Sequence, residues 1–173
     1  MADYRIRRRW SADLPGCVRA LAEVHEADGY PQVWPSRPTA WLVDPDQLAG
    51  WVATAPDGQV VAHVALVAGL GSSAARVWAT RTGRRPEETA AVTRLYVAPS
   101  ARGRGLGAGL LDTVAEFARQ EGLCPVLDVV TTNTAAVELY ERQGWEWLVT
   151  IDQQWPDGQL VEVHCYALEG CER

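Results

Sequence analysis

The stretch Leu95-Tyr96-Val97-Ala98-Pro99-Ser100-Ala101-Arg102-Gly103-Arg104-Gly105-Leu106-Gly107-Ala108 decides how the rest of the 173-residue chain is read. It opens on an apolar run, breaks at Pro99, and passes through alternating arginine and glycine into an amphipathic segment. A helix beginning there leaves its first backbone N–H groups without partners and carries the positive end of its dipole, so it attracts anions. Gly103, Gly105 and Gly107 remove side chains that would keep a pyrophosphate away from those amides, and glycine tolerates unusual φ/ψ. Arg102 and Arg104 add positive charge locally to a chain whose formal net charge is −6. By its chemistry this turn is a phosphate cradle.

Working outward, residues 91–97 read as the strand leading in, and 104–121 as a helix burying Leu106, Leu110, Leu111, Val114 and Phe117. A mostly apolar strand follows at 126–130, then a short helix at 134–143 that ends at Gly144, which suits a left-handed C-cap. Residues 145–151 and 160–168 form a closing strand pair joined through Pro156-Asp157-Gly158. Upstream, residues 4–10 alternate Tyr4, Ile6, Arg8 and Trp10 with Arg5, Arg7 and Arg9, which predicts a strand with one solvated face. A helix over 13–26 follows, with Asp13 as N-cap, Pro15 in the first turn, and Leu14, Val18, Leu21 and Val24 at helical spacing. Strands at 51–55 and 59–68 meet across Pro56-Asp57-Gly58. Residues 29–45, rich in proline and tryptophan, read as a long functional loop. Residues 69–89 are polar, with one strand-like patch at 77–80. The pattern is a single α/β (α+β) domain over 1–173, a mixed, mostly antiparallel sheet of about six to seven strands flanked by helices.

Composition narrows the function. With 47% hydrophobic and 22% charged residues the chain is globular rather than disordered. Its acidic balance opposes a general nucleic-acid binder, which needs a basic face to displace counterions. The longest apolar run, 60–70, is interrupted by His63 and falls short of the roughly 20 residues of a membrane span. No apolar segment follows the basic N-terminus, so no secretory signal is expected. Cys17, Cys124, Cys165 and Cys171 form no Cys-x-x-Cys pair and lie at no ligand spacing with His25, His63 or His164. They read as thiols of a reducing cytoplasm, with no metal site expected.

Three ligands compete for the cradle, beside a helix start that binds nothing. A P-loop requires a Gly-Lys-Ser/Thr ending, and no lysine occurs here. A dinucleotide fingerprint is met by Gly103, Gly105 and Ala108, with Asp128 in the following strand as the ribose-binding acid. That fingerprint normally opens a series of parallel units, whereas here a hairpin precedes it and a strand pair closes the chain. The third ligand is acyl-CoA. Arg-x-x-Gly-x-Gly is met by Arg102, Gly105 and Gly107, and Asn133-Thr134-Ala135-Ala136-Val137-Glu138-Leu139-Tyr140-Glu141-Arg142-Gln143-Gly144-Trp145 follows downstream.

With both motifs in this order, the sequence resembles the GNAT superfamily of N-acetyltransferases, most specifically over 92–147. The resemblance implies a sheet splayed at the acyl-CoA site, with the pantetheine arm between the strand before the cradle and the strand after the long helix. Backbone groups of Leu95 and Val97 would pair with pantetheine, and the Val97 N–H would face the oxyanion of a tetrahedral intermediate. Backbone amides from Arg102 through Gly103, Arg104, Gly105, Gly107 and Ala108 would hold the pyrophosphate of acetyl-CoA. Asn133 would contact the CoA arm, cap its helix, or do both. Tyr140 would protonate the departing thiolate, being protonated at neutral pH; its alternative is a core-facing helical tyrosine. The glutamate that many members carry at the start of the cradle strand is missing, since Ala91-Val92-Thr93 stands there and Glu87 and Glu88 fall earlier. The base is therefore open: water, a backbone carbonyl, an acid from 23–28 or one from the terminal strands.

The acceptor surface should draw on residues 26–48 and the final hairpin, including His25, Glu26, Asp28, Tyr30, Trp34, Trp41 and Trp155. Aromatics beside acids suit a small cationic amine. The expected function is acetyl-CoA-dependent transfer to the primary amine of a small molecule, by direct attack. The alternatives are acetylation of a peptide N-terminus or lysine, and a non-catalytic acyl-CoA sensor. No membrane or nucleic-acid partner is expected, and a homodimer is left open.

Overall fold

In the computed structural model the described residues are 3–168, 170 and 171. In chain order the elements are β1 (Arg5–Arg8), α1 (Leu14–Asp28), α2 (Pro38–Leu42), β2 (Gln47–Thr54), β3 (Val60–Ala68), α3 (Ser73–Thr82), β4 (Thr89–Val97), α4 (Leu106–Gln120), β5 (Cys124–Val130), α5 (Thr134–Arg142), β6 (Trp145–Gln154) and β7 (Leu160–Leu168). The strands make an open, mixed seven-stranded sheet in the order β1-β2-β3-β4-β5-β7-β6, the class the residue pattern predicts. Two compact units divide the chain: Met1–Val67 with Thr93–Val114, and Ala68–Val92 with Ala115–Arg173.

In the first unit β1, β2 and β3 are consecutive antiparallel neighbours, with Arg5 opposite Thr54 and Val52 opposite His63. The turn between β2 and β3 closes through Gly58 N–H to the Ala55 carbonyl at 2.8 Å, and the Asp57 carboxylate accepts from the Gln59 N–H. Helix α1 ends at Gly29 in the left-handed region and buries Cys17, Ala20, Leu21 and Val24. Leu14 and Val18 are only half-buried, so the buried stripe is rotated from the expected one. Asp13 stands at the N-cap position, yet its carboxylate does not cap α1. It takes both Arg7 guanidinium nitrogens at 2.8 Å and the Trp10 N–H instead. Past β1 the simple alternation fails: Trp10 is 62% exposed beneath the Arg7 guanidinium, and Arg9 turns inward. A charged pair and a buried hydrogen-bond network outweigh the burial of one indole there. Beneath α4, a Cβ at Gly109 would stand 2.8 Å from the Ile6 side chain, so glycine is what lets β1 and the helix approach.

In the second unit β5 pairs antiparallel with β7, and β7 with β6. The first residues of β4 pair in parallel with β5, from Thr89 opposite Cys124 to Ala91 opposite Val126. The strand-like patch at 77–80 is helical: it lies within α3. Ser72 caps α3 through the Ala75 N–H, Gly83 ends it at φ 70°, and Ala74, Ala75 and Trp78 are buried. Small residues made this face weakly apolar in sequence, so its period did not stand out. Asp128 has a place too. Its carboxylate accepts from the Ala74 N–H at 2.8 Å, the Ser73 N–H at 3.2 Å and Gln153 Nε2 at 3.3 Å. The acid that could have served a ribose is thus the anchor of the α3 N-terminus.

Replacing Asp128 by alanine should cost about 2 kcal/mol, because it strips a charged acceptor from two helix-start amides. Urea unfolding of Asp128→Ala and Asp128→Asn checks this, with asparagine expected between alanine and the native residue.

Candidate functional site

The cradle residues lie where the sequence puts them, between β4 and α4. After a 3-10 turn at Pro99–Ala101 the chain runs extended at Arg102, takes Gly103 to φ 75° and Gly105 to φ 74°, and enters α4 at Leu106. Both glycines are in the left-handed region, where an L side chain is strained, and a Cβ on either would meet nothing within 4 Å. The space above them is open, which a bulky anion requires. The side chains of the two arginines do not crown this turn. Arg102 is ion-paired with Asp28, and its Nε donates to the Val97 carbonyl at 3.2 Å. The Arg104 guanidinium lies 4.9 Å over the Tyr4 ring. What the cradle offers is therefore chiefly backbone amide, as at other anion-binding helix starts.

Strand β4 carries the unusual geometry. Arg94 has φ 54°, the one non-glycine residue with positive φ among the described residues. Such a residue re-aims a strand in the manner of a bulge. Its carbonyl accepts from His63 Nδ1 at 2.8 Å, and His63 Nε2 stands 2.7 Å from Arg9 Nη1. A guanidinium only donates and a carbonyl only accepts, so His63 is the neutral tautomer with its proton on Nδ1. Burial, reinforced by the Arg9 and Arg94 charges, pushes the His63 pKa down to about 3, against the opposing hydrogen bond to Arg94. The ring stacks on Tyr96 at 5.2 Å, and the Tyr96 hydroxyl donates to the Cys17 carbonyl. Leu95 and Val97, half-buried, flank Tyr96. The sequence singled out neither Arg9, His63 nor Arg94; the one signal was a histidine interrupting an apolar strand, since buried polar groups come with partners.

The predicted acceptor segment is pinned rather than open. His25 Nδ1 lies 2.8 Å from the Pro31 carbonyl and its ring 5.3 Å from Trp34. Tyr30 meets Trp41 edge-on at 6.5 Å. Trp41, on α2, is covered by the Arg94 guanidinium at 4.8 Å, and Asp44 pairs with Arg94 at 3.4 Å. Of the aromatics and acids expected to hold a cationic amine, Trp41 and Asp28 already have cationic partners, as does Asp44 in the same stretch.

In the second unit Asn133 caps α5 by accepting from the Ala136 N–H at 3.4 Å, which leaves its NH2 group for a second partner. Tyr140 is 7% exposed and packs against Trp145 and Tyr166, each at 6.2 Å between ring centroids. The Tyr166 hydroxyl donates to Glu141 at 3.0 Å. Glu88 is engaged by Arg84 and by the Arg85 N–H, and those contacts hold its carboxyl below the usual range. Among the described residues no group of three or more His, Cys, Asp or Glu could hold a metal ion. No helix there is long and apolar enough to cross a membrane.

Residues 10–145 match the model of the acetyltransferase (GNAT) family. The chain belongs to that family. Over 70 residues, 40% of this chain and 30% of the relative, it is 36% identical to an uncharacterized N-acetyltransferase of Methanocaldococcus jannaschii. The match thus spans less than a third of that curated relative. Among solved structures, NAA60 of Arabidopsis thaliana in complex with acetyl-CoA is 18% identical, with a TM-score of 0.72 over 95% of this chain and 97% of that one. The ribosomal-protein-S18-alanine N-acetyltransferase from Escherichia coli is 19% identical, with a TM-score of 0.68 over 96% of this chain and 93% of that one. At these identities the likeness is one of fold.

Neutral His63 has a signature in stability. The unfolded chain binds a proton below about 6.5 that the folded chain refuses down to about 3. Its contribution is whole above 6.5 and declines as pH falls toward 3. Between pH 7.5 and 5.0 the native protein should lose about 2 kcal/mol more than His63→Gln does. Urea unfolding of both at the two pH values checks it; equal losses would show that His63 is protonated in the fold.

Proposed function

We propose that this chain acetylates the primary amine of a small molecule, using acetyl-CoA as co-substrate. The observation that carries the reading is the pair of left-handed glycines, Gly103 and Gly105, opening onto unobstructed space at the start of a 15-residue helix. Family membership supports acetyl-CoA as the phosphate-bearing ligand. Acetyl-CoA brings a thioester whose acyl carbon accepts the amine nitrogen as the carbon–sulfur bond breaks. Backbone amides of Arg102 through Ala108 hold the pyrophosphate, with Gly103, Arg104, Gly105 and Gly107 between them. Leu95 and Val97 pair with the pantetheine arm, and the Val97 N–H donates to the developing oxyanion. The Asn133 amide takes a second contact to the CoA arm. The Tyr140 hydroxyl gives its proton to the departing thiolate.

The pinned acceptor segment favours a small molecule over a peptide. Residues 29–45 contain α2 and are tied to β4 through Trp41 and Asp44, whereas a peptide would call for an open groove. Burial of Tyr140 among aromatic rings favours the second reading, in which its role is packing and the chain senses acyl-CoA without turnover.

Free-thiol release across a broad amine and peptide panel separates the two. Tyr140→Phe should lower kcat by roughly a hundredfold while acetyl-CoA affinity by calorimetry stays near native. Undiminished kcat would remove Tyr140 from the chemistry. Gly105→Asp, which adds a negative charge and a strained side chain to the cradle, should weaken acetyl-CoA binding by at least about tenfold. Native affinity in that variant would sink the cradle assignment.

A further inference from the structure

The first unit holds an imbalance of charge that the proposed chemistry leaves unused. Arg9 is turned inward, and its three hydrogen-bond partners are all uncharged: the Leu42 carbonyl at 3.1 Å, Gln47 Oε1 at 3.0 Å and His63 Nε2 at 2.7 Å. Burial lowers its pKa and the charge of Arg94 adds to that effect, outweighing the opposing pull of Cys17, Tyr96 and Asp13. Arg94 is itself 15% exposed in its side chain, and among the described residues its one carboxylate partner is Asp44 at 3.4 Å. Its Nε is buried and has no hydrogen-bond partner among those residues. Asp13, the other nearby acid, is committed to Arg7 through both oxygens. Among the described residues Arg94 has Asp44 as its carboxylate partner and Arg9 has none within ion-pair distance, feeling Asp13 only through its charge, in a chain that is acidic as a whole. Sheltered charge left short of a counter-ion is costly, and a second anion would relieve it.

The location gives that anion a purpose. Arg94 directly precedes Leu95 and lies three residues from Val97, whose N–H faces the reaction in the proposed function. Three strand residues span about 10 Å, the scale of a single amino acid with its side chain. Trp41 lies beneath the guanidinium, and Tyr30 stands edge-on to Trp41. A guanidinium backed by an aromatic face is a carboxylate receptor with apolar surface alongside.

We infer that Arg94, held by Trp41 and Asp44, binds the carboxylate of the acceptor, so that the substrate class is a free amino acid or a close amino-carboxylic analogue. The inference rests on the proposed acetyl transfer at this strand. Asp44 is then the stand-in anion of the empty receptor, and it yields part of its hold on Arg94 to the substrate.

The test is thiol release from acetyl-CoA with matched acceptors: phenylalanine and phenethylamine, tryptophan and tryptamine, methionine and 3-(methylthio)propylamine. These are run beside the remaining proteinogenic amino acids and a panel of simple amines and peptides. At least one amino acid should exceed its decarboxylated partner in kcat/KM by roughly thirtyfold or more. In Arg94→Gln that ratio should collapse toward one, and in Arg94→Lys, which keeps charge but loses the planar fork, it should fall part of the way. Asp44→Asn removes the competing anion and should lower KM for the acid acceptor, a change that a merely structural aspartate would not produce. Equal use of acid and amine by the native protein overturns the inference, as does an Arg94→Gln variant that slows both alike. Turnover of simple amines or peptides with none of the amino acids also overturns it, while leaving acetyl transfer standing. Release with no acceptor at all brings down acetyl transfer itself, and this inference with it.

Discussion

A strand residue forced to φ 54° turns its carbonyl off the regular ladder, and a buried carbonyl has to find another donor. At Arg94 that donor is His63, and much of the first unit is arranged to keep the imidazole able to donate. Protonation would put a third cation between two guanidinium groups. Loss of the Nδ1 proton to the other nitrogen would set two donors facing one another across 2.7 Å. Arg9 forbids both, and so selects the tautomer. Through Arg9 the same imidazole reaches the last carbonyl of α2 and a side chain of β2, while its ring lies flat on Tyr96 of β4. One neutral histidine therefore joins four elements, β2, β3, β4 and α2, and its reward is a re-aimed β4 whose next residues, Leu95 to Val97, face the proposed chemistry.

That arrangement explains which parts of the protein could be read from the sequence. The phosphate turn, α4, α5 and the closing strands announce themselves because their signals are local: glycines at the turn, apolar residues at helical spacing, Asp-Gly pairs between strands. Helix α3 did not, because its buried face is built from Ala74, Ala75 and Trp78, and its N-terminus is anchored by Asp128 from a strand more than fifty residues downstream. Asp13 was legible as a helix-start residue but not as the partner of Arg7. The positive φ of Arg94 was invisible for a related reason. No propensity marks an arginine for positive φ; the conformation is imposed by a histidine on the neighbouring region of chain and is stable only within the fold. In both cases a tertiary partner decided a local conformation.

The same distinction applies to the site. The glycine turn could be placed from sequence since its glycines and the helix start after it are local signals. The roles of its charged side chains could not be assigned so easily, because Arg102 and Arg104 spend their charge on Asp28 and Tyr4. In the proposed site that leaves the anion to the amides and the helix dipole. Asp28 was one of the acids available as a general base, and its ion pair with Arg102 gives it a structural task.

Charge also inverts the expected character of the acceptor surface. Tryptophan beside aspartate reads as a trap for a cation when the partners of both are unknown. Here the trap is already sprung: Arg94 covers Trp41 and engages Asp44, so an incoming ammonium meets a guanidinium where an open aromatic face was expected. Arg9 is bonded to neutral acceptors alone, so under the proposed reading its charge and that of Arg94 disfavour a bare cationic amine. An acceptor that carries its own carboxylate avoids this penalty, since its anion answers the excess while its nitrogen remains free to react. Trp41 stands among the residues expected there, its face already taken by Arg94, the residue whose backbone also shapes β4.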